Sequence, residues 1–445
     1  MSDRKMRLGA FLMAGGHHIS AWRHKQAHAP AGTDIDHFIQ LAQIAERGKF
    51  DMIFIEDAAA IRERNPDMAS QAARSTAFEP LSLLAALAVN TTHIGLVATA
   101  STTYNEPYGL ARTFASLDQL SGGRAGWNLV TSASELEAEN FAGSGLRPHS
   151  QRYERAEEFA NAALALWNGV EDGAYFPDGA AGPFVDPQKL HPVHHHGRHF
   201  SVDGILDSPR SPQGRPIMVQ AGASDTGKEL AARTADVVFA ASQTIGEAQA
   251  YYADVKARLA KHGRQPDDIK IMPGISPIVA DSEREARAKY QALQELIPDA
   301  VGVALLASYL SVGDLSAYPV DGPLPEIPQT QAMQSRQQLI IDLGKRENLS
   351  IRGLARNFAG ARGHWQVFGT PAQIADAMEE RFVTGAADGF NVMAPLFPSG
   401  LDDFVTLVIP ELQRRGLFRD DYEGHTLRAN LGLPSPVARD NLGET

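Results

Sequence analysis

The stretch Gln220-Ala221-Gly222-Ala223-Ser224-Asp225-Thr226-Gly227-Lys228 joins small residues to a hydroxyl just ahead of a helical run. Small residues let a ligand approach the backbone, and N–H groups at a helix start attract anions, so this is the best phosphate-binding candidate in the chain. It is not a P-loop, because the required glycine-to-lysine spacing is absent. A second polar stretch, Trp127-Asn128-Leu129-Val130-Thr131-Ser132, closes an apolar run, and the Asn128 amide offers both a donor and an acceptor to the edge of a heterocycle. His149 and Tyr153 are four residues apart, which puts both on one face of a helix; ordinary packing would use the same spacing. Glu56-Asp57 emerges from Phe54-Ile55, so an acid is placed to bond a ligand or to structure a loop. Hydroxyls crowd residues 99–107, Thr103 among them, where a polar pocket and a turn with a helix cap are alternative uses.

Other chemistries are excluded or poorly supported. The chain has no cysteine, which removes disulfides, thiolate nucleophiles and thiolate-ligated zinc. His191, His194, His195, His196 and His199 invite a metal reading, but no HExxH or carboxylate–histidine pattern accompanies them, so no metal is expected. There is no nucleophile elbow for hydrolysis. A net charge of −12 argues against nucleic acid as a partner. No apolar run approaches the ~18 residues of a membrane span, and the opening stretch lacks a convincing cleavage region, so a cytoplasmic location is expected.

Chemistry of this kind needs strands that end at a common face. Short β-rich runs at residues 7–13, 51–55, 93–99, 124–130, 216–220, 236–240, 269–278 and 389–394 alternate with helical stretches. Eight such units predict an α/β fold, a (β/α)8 TIM barrel with insertion segments, whose catalytic groups gather at the carboxyl ends of the strands. The polar stretches above lie at or just beyond the ends of these runs. Ser282, the Thr370-Pro371 pair with Gln373, Gly385 and Gly416 fit helix caps. We read residues 1–445 as one barrel domain with insertions at about 171–215 and 297–364 and a tail from about 417. The first insertion is expected to carry a short hairpin around residues 200–202. The second is expected to open on turn-rich sequence, to continue in a helix over 335–347, and to serve as a lid.

Read in order, these residues resemble a known family. Ala10-Phe11, His17-His18 and Trp22-Arg23-His24 look like its opening motif. The likeness continues through Leu117-Asp118-Gln119-Leu120-Ser121-Gly122-Gly123-Arg124, the Asn128 stretch, Pro209-Arg210-Ser211-Pro212-Gln213-Gly214, and Gly385-Ala386-Ala387-Asp388-Gly389-Phe390. The chain resembles the nitrilotriacetate monooxygenase branch of the bacterial-luciferase-like FMN-dependent monooxygenases, which also includes dibenzothiophene-sulfone and long-chain alkane monooxygenases. The resemblance spans nearly the whole sequence.

It implies a two-component enzyme. Reduced FMN (FMNH2) would come from a separate NAD(P)H:flavin reductase, and O2 would be used to hydroxylate a small organic substrate within a homodimer or homotetramer. Mapped residue by residue, it implies flavin contacts at Asp57, Thr103, Asn128, His149, Tyr153 and Ser224, and catalytic positions at His18, Asn128 and His149, with His17 competing for the place of His18. The nearest likeness points to an aminopolycarboxylate and cleavage of a C–N bond. Alternatives are a C–S-cleaving oxygenase of a thioether or sulfone, another class of barrel enzyme, and a flavin-binding protein that oxidises nothing. A carboxylated substrate would need cations, for which Arg23, His24, Arg62, Arg64 and Arg74 are candidates.

Overall fold

A computed structural model describes residues 4–436 apart from 29–30, 62–68, 72, 74–75, 142–144, 177–182 and 331–333. In the described residues the strands run β1 (Arg7–Leu12), β2 (Met52–Ile55), β3 (Gly95–Ser101), β4 (Ala125–Val130), β5 (Val193–His196), β6 (Ser201–Gly204), β7 (Ile217–Gln220), β8 (Val237–Ala240), β9 (Lys270–Val279), β10 (Trp365–Gly369) and β11 (Gly389–Val392). Eight of them pair in parallel in the order β1-β2-β3-β4-β7-β8-β9-β11, and β11 returns to β1, so the barrel closes. These eight are the strands the alternation predicts, each within two residues at its start and end.

Strand periodicity explains the two sides of the wall. Leu8, Ala10 and Leu12 pack outward with the surrounding helices, while Phe11 between them packs inward. Inside, Phe11, Phe54 and Phe239 meet with ring centroids 4.8, 5.7 and 5.6 Å apart. At the other end Leu427, Leu431 and Leu433 from the C-terminal segment enter the same interior cluster, against Met52, Ile217 and Val237 at the strand starts.

That lower end is pinned by a buried ion cluster. Asp236, at the foot of β8, accepts from Arg215 at 2.6 Å, from Arg428 at 3.2 Å and from the Met218 amide at 2.8 Å. Burial opposes its ionisation, but the two guanidinium groups hold its carboxyl well below the usual carboxylate range. The unfolded chain therefore takes up this proton first as the medium is acidified. The contribution is complete above about pH 4 and is lost as pH falls below that. Asp236→Ala, which strands two buried cations, is expected to cost about 3–5 kcal/mol in chemical denaturation at pH 7, and less when the comparison is repeated under acidic conditions.

Caps fall where the sequence places them. Thr370 and Gln373 exchange bonds of 2.9 and 3.3 Å in a capping box, Ser282 caps its helix, and Gly385 and Gly416 end theirs at φ of 74° and 70°. Two expectations need correction. A further strand, β10, pairs with the outer half of β9, Trp365 against Ile275 through Gly369 against Val279. After the helix Glu283–Gln294 that follows β9, the second insertion opens on a helix, Asp299–Leu310, not on turns, and then carries Gln334–Arg346 and Ile351–Ala361. These helices build a small core of their own around Leu306, Leu310, Ile340, Leu354 and Phe358.

The expected hairpin is β5–β6, antiparallel from Val193 against Gly204 to His196 against Ser201. Its histidines face carboxylates: His194 and His196 reach Asp203, and His195 reaches Glu158. Among the described residues no group of His, Asp and Glu could hold a metal ion. Nor, among them, is any single helix long and apolar enough to cross a membrane.

Candidate active site

A cavity of about 540 Å³ opens at the carboxyl ends of the barrel strands, the size of a small-molecule site. Its walls come from the residues after β2 (Asp57, Ala58), β4 (Val130 to Ser134), β7 (Ala221 to Ser224) and β8 (Ala240, Ala241). Phe239 also lines it, with Phe11 and Phe54 packed against that ring. The segment after β9 supplies the remaining wall through Val301, Leu305, Tyr309, Arg336, Leu339 and His364.

The loop after β7 is a cradle. Ser224 caps the helix Asp225–Thr234 and accepts from the Gly227 amide at 3.1 Å. Gly222 and Gly227 lie so close that a Cβ on either would stand 2.8–2.9 Å from the other's Cα, so neither tolerates a side chain. The Tyr251 hydroxyl donates to the Gly222 carbonyl at 2.8 Å and fixes the turn. Beside it, the helix His149–Trp167 holds His149 in its first turn with Tyr153 one turn on. Their rings are 4.7 Å apart and both line the cavity. Burial, helped by the nearby Arg152 charge, lowers the His149 pKa, so its imidazole is neutral at pH 7.

The sequence candidates thus divide. Asp57, His149, Tyr153 and Ser224 are brought together on the cavity wall. Thr103 does not line it but donates to the Thr131 carbonyl at 2.8 Å, bracing a residue that does. Asn128 points into the barrel and is buried. Its amide donates to Thr99 at 2.8 Å, and its Oδ1 has no partner among the described residues. His18 does not line the cavity: its Nδ1 accepts from the Ser20 amide at 3.2 Å, its edge meets Tyr290, and burial pushes its pKa down to about 4.

His17 is the member of the pair that is tied to the strand ends. It donates from Nε2 to the Phe11 carbonyl and accepts at Nδ1 from Arg362, each at 2.7 Å. Arg23 is engaged with Gln71 and stacks on Trp22, and neither it nor His24 lines the cavity. Arg62, Arg64 and Arg74 lie outside the described residues.

Sequence reasoning missed Arg336 and His364. His364 stacks on Phe239 at 5.0 Å, and burial pushes its pKa well down, so it is neutral. A Cβ at Gly274 of β9 would collide with its ring. Gly274→Ala is expected to displace His364 and to cost about 1–3 kcal/mol in thermal or chemical unfolding. A melting temperature equal to that of the wild type would show that the ring moves without strain.

Residues 10–388 match the family model for luciferase-like monooxygenases. The chain belongs to the luciferase-like monooxygenase family. It is a flavin-dependent monooxygenase, as the sequence resemblance implied. It is 48% identical over 443 residues to nitrilotriacetate monooxygenase component A of Aminobacter aminovorans, covering 98% of each chain. It is 49% identical over 438 residues to N-acetyl-S-(2-succino)cysteine monooxygenase of Bacillus subtilis (strain 168), again covering 98% of each. Among solved structures it superposes with a TM-score of 0.88, at 31% identity over 98% of both chains, on a riboflavin lyase crystallised with modified FMN and riboflavin.

The residues of this luciferase-like monooxygenase fit a flavin mononucleotide. The close Gly222–Gly227 contact, which a Cβ on either would break, shapes the turn that leads into a helix start suited to a phosphate. The paired rings of His149 and Tyr153 on the cavity wall supply a flat surface for a heterocycle.

Proposed function

We propose that the chain is the oxygenase of a two-component system that takes reduced FMN from a separate NAD(P)H:flavin reductase. It uses O2 to hydroxylate the carbon next to nitrogen in an aminopolycarboxylate. The observation that carries this reading is the glycine cradle beside the His149–Tyr153 pair, opening onto a cavity covered by the segment after β9. The 48% identity to a protein named as component A of a nitrilotriacetate monooxygenase supports the partner and the substrate class.

When bound, reduced FMN supplies the two electrons that, with O2, put one oxygen atom into a C–H bond and release the other as water. The protein's own residues do the positioning. The amides at the start of Asp225–Thr234, with Ser224, hold the phosphate, and Tyr251 keeps that turn in place through Gly222. His149 and Tyr153, with Asp57 on the β2 side, orient the ring system, and Asn128 closes the barrel beneath it. Val301, Leu305 and Leu339 give the covering wall an apolar surface that keeps water from the reacting atoms. The hydroxylated carbon next to nitrogen then expels the amine, leaving an aldehyde and a shorter amine.

A second reading, C–S cleavage of a carboxylated thioether, is favoured by the 49% identity to the N-acetyl-S-(2-succino)cysteine enzyme. The test supplies a generic NADH:FMN reductase and measures O2 uptake and aldehyde formation over aminopolycarboxylates, carboxylated thioethers and neutral sulfones. Product from nitrilotriacetate is the expected result. Product from thioethers alone selects the second reading, and product from none overturns both.

The same reading predicts how flavin is held. The purified protein should be nearly colourless and should consume NADH only when the reductase is added. Stoichiometric, tightly bound yellow FMN that NADH reduces directly would contradict it.

A further inference from the structure

The wall contributed by the segment after β9 carries more positive charge than it neutralises. Arg362 is paired: its Nη1 meets Glu56 at 3.0 Å and its Nη2 meets His17 Nδ1 at 2.7 Å. Arg336, on the helix Gln334–Arg346, is not. Its Nη1 donates to the Arg362 carbonyl at 2.6 Å, but among the described residues no carboxylate lies within ion-pair distance of its guanidinium. Glu56, whose field does reach Arg336, is already committed to Arg362. His364 on the same wall is neutral.

The other charged groups on the cavity lie on walls from different elements. Asp57 follows β2. Glu137 is occupied by the Ala59 amide and the Ser132 hydroxyl, and Arg152 donates to the Ser132 carbonyl.

A guanidinium left this way is costly. Burial is the main influence on Arg336, disfavouring its charged form, and the Arg362 charge adds to that. Its surroundings on the cavity, Leu305 and Leu339, solvate it poorly. Its donors form a planar fork that matches a carboxylate; one nitrogen is spent on the Arg362 carbonyl, and the side chain lines the cavity. Ser308 and Tyr309, two adjacent hydroxyl-bearing residues on the facing helix, also line this wall.

We infer that Arg336 is the substrate-anchoring residue of this enzyme, receiving a carboxylate group of the substrate at the wall formed by the segment after β9. The inference rests on the cavity being the flavin and substrate site. It replaces Arg23 and His24 as the anion-binding group, and it makes the enzyme selective for anionic over neutral molecules whichever bond is cleaved.

The experiment compares wild type, Arg336→Gln and Arg336→Lys with a generic reductase. The substrates are nitrilotriacetate, N-acetyl-S-(2-succino)cysteine and the neutral dibenzothiophene sulfone. Reduced-FMN affinity is titrated anaerobically in parallel. For any carboxylated compound that the wild type oxidises, R336Q should raise KM on the order of 10- to 100-fold, with kcat less affected. R336K should recover part of the loss, and flavin affinity should not change. If the thioether acid is oxidised and the amine is not, the C–N reading fails while the inference stands. Unchanged KM for the carboxylated compounds in R336Q, oxidation of the neutral sulfone alone, or a loss traced to weaker flavin binding would each overturn it. Should R336Q fail to fold by thermal melting, the KM split in R336K decides between the same outcomes, because lysine keeps the charge and loses the fork.

Discussion

Ser224→Asp is expected to weaken binding of reduced FMN on the order of 100-fold while leaving the fold intact. Ser224 is half-buried at the N-cap of the helix that closes the cradle, with its hydroxyl committed to the Gly227 amide. Aspartate is an equally good helix cap, so the helix Asp225–Thr234 should not fray. What changes is charge: a carboxylate would stand where the phosphate is to sit. Two like charges about 4 Å apart near a protein surface repel by as much as roughly 4 kcal/mol, and ions screen part of that. Anaerobic titration of wild type and variant with photoreduced FMN, alongside thermal melting, measures the effect. Equal affinities with equal stability would place the phosphate elsewhere.

His149→Ala is expected to divert turnover from product to H2O2, with the ratio shifting on the order of tenfold, the change that ~1.4 kcal/mol in relative barriers gives. The His149 ring lines the cavity against Tyr153, and its removal would admit water to the place where oxygen is activated. The neutral state of the ring matters too, since a neutral imidazole next to Arg152 adds no further charge to the site. NADH consumed, product formed and H2O2 released should be measured at saturating FMNH2. A slower enzyme with the wild-type ratio would leave His149 a purely structural residue.

The barrel was legible because each of its strands is a short apolar run bounded by helix signals, and a parallel strand buried on both faces must read that way. β10 was not. Trp365-Gln366-Val367-Phe368-Gly369 is only partly buried, and it becomes a strand because β9, ten residues long, outruns its barrel neighbours and needs a partner for its outer half. The helix Asp299–Leu310 was missed for a related reason. Its apolar residues run round the whole cylinder, since it packs against both the cavity wall and the helix Ile351–Ala361, so no amphipathic period marks it.

The site divides along the same line. Asp57, His149, Tyr153 and Ser224 could be found because each follows a strand or opens a helix at a recognisable place. The alternation of β4, with Trp127 outward among Phe114, Phe159 and Trp167, also turns Asn128 inward. Arg336 and His364 carry no such signal. They reach the cavity only because a long segment folds on its own small core and returns across the strand ends, where Arg362 meets Glu56 from β2 and His17 from β1.

In the function proposed above, the chain activates O2 with reduced FMN that it receives from outside. Mixing the protein anaerobically with photochemically reduced FMN and nitrilotriacetate, then admitting oxygenated buffer with no reductase and no NADH, tests it directly. Product should form in proportion to the reduced FMN supplied and should be lost in Ser224→Asp at limiting flavin. Product that forms only when NADH is added to protein carrying its own oxidised flavin would contradict it.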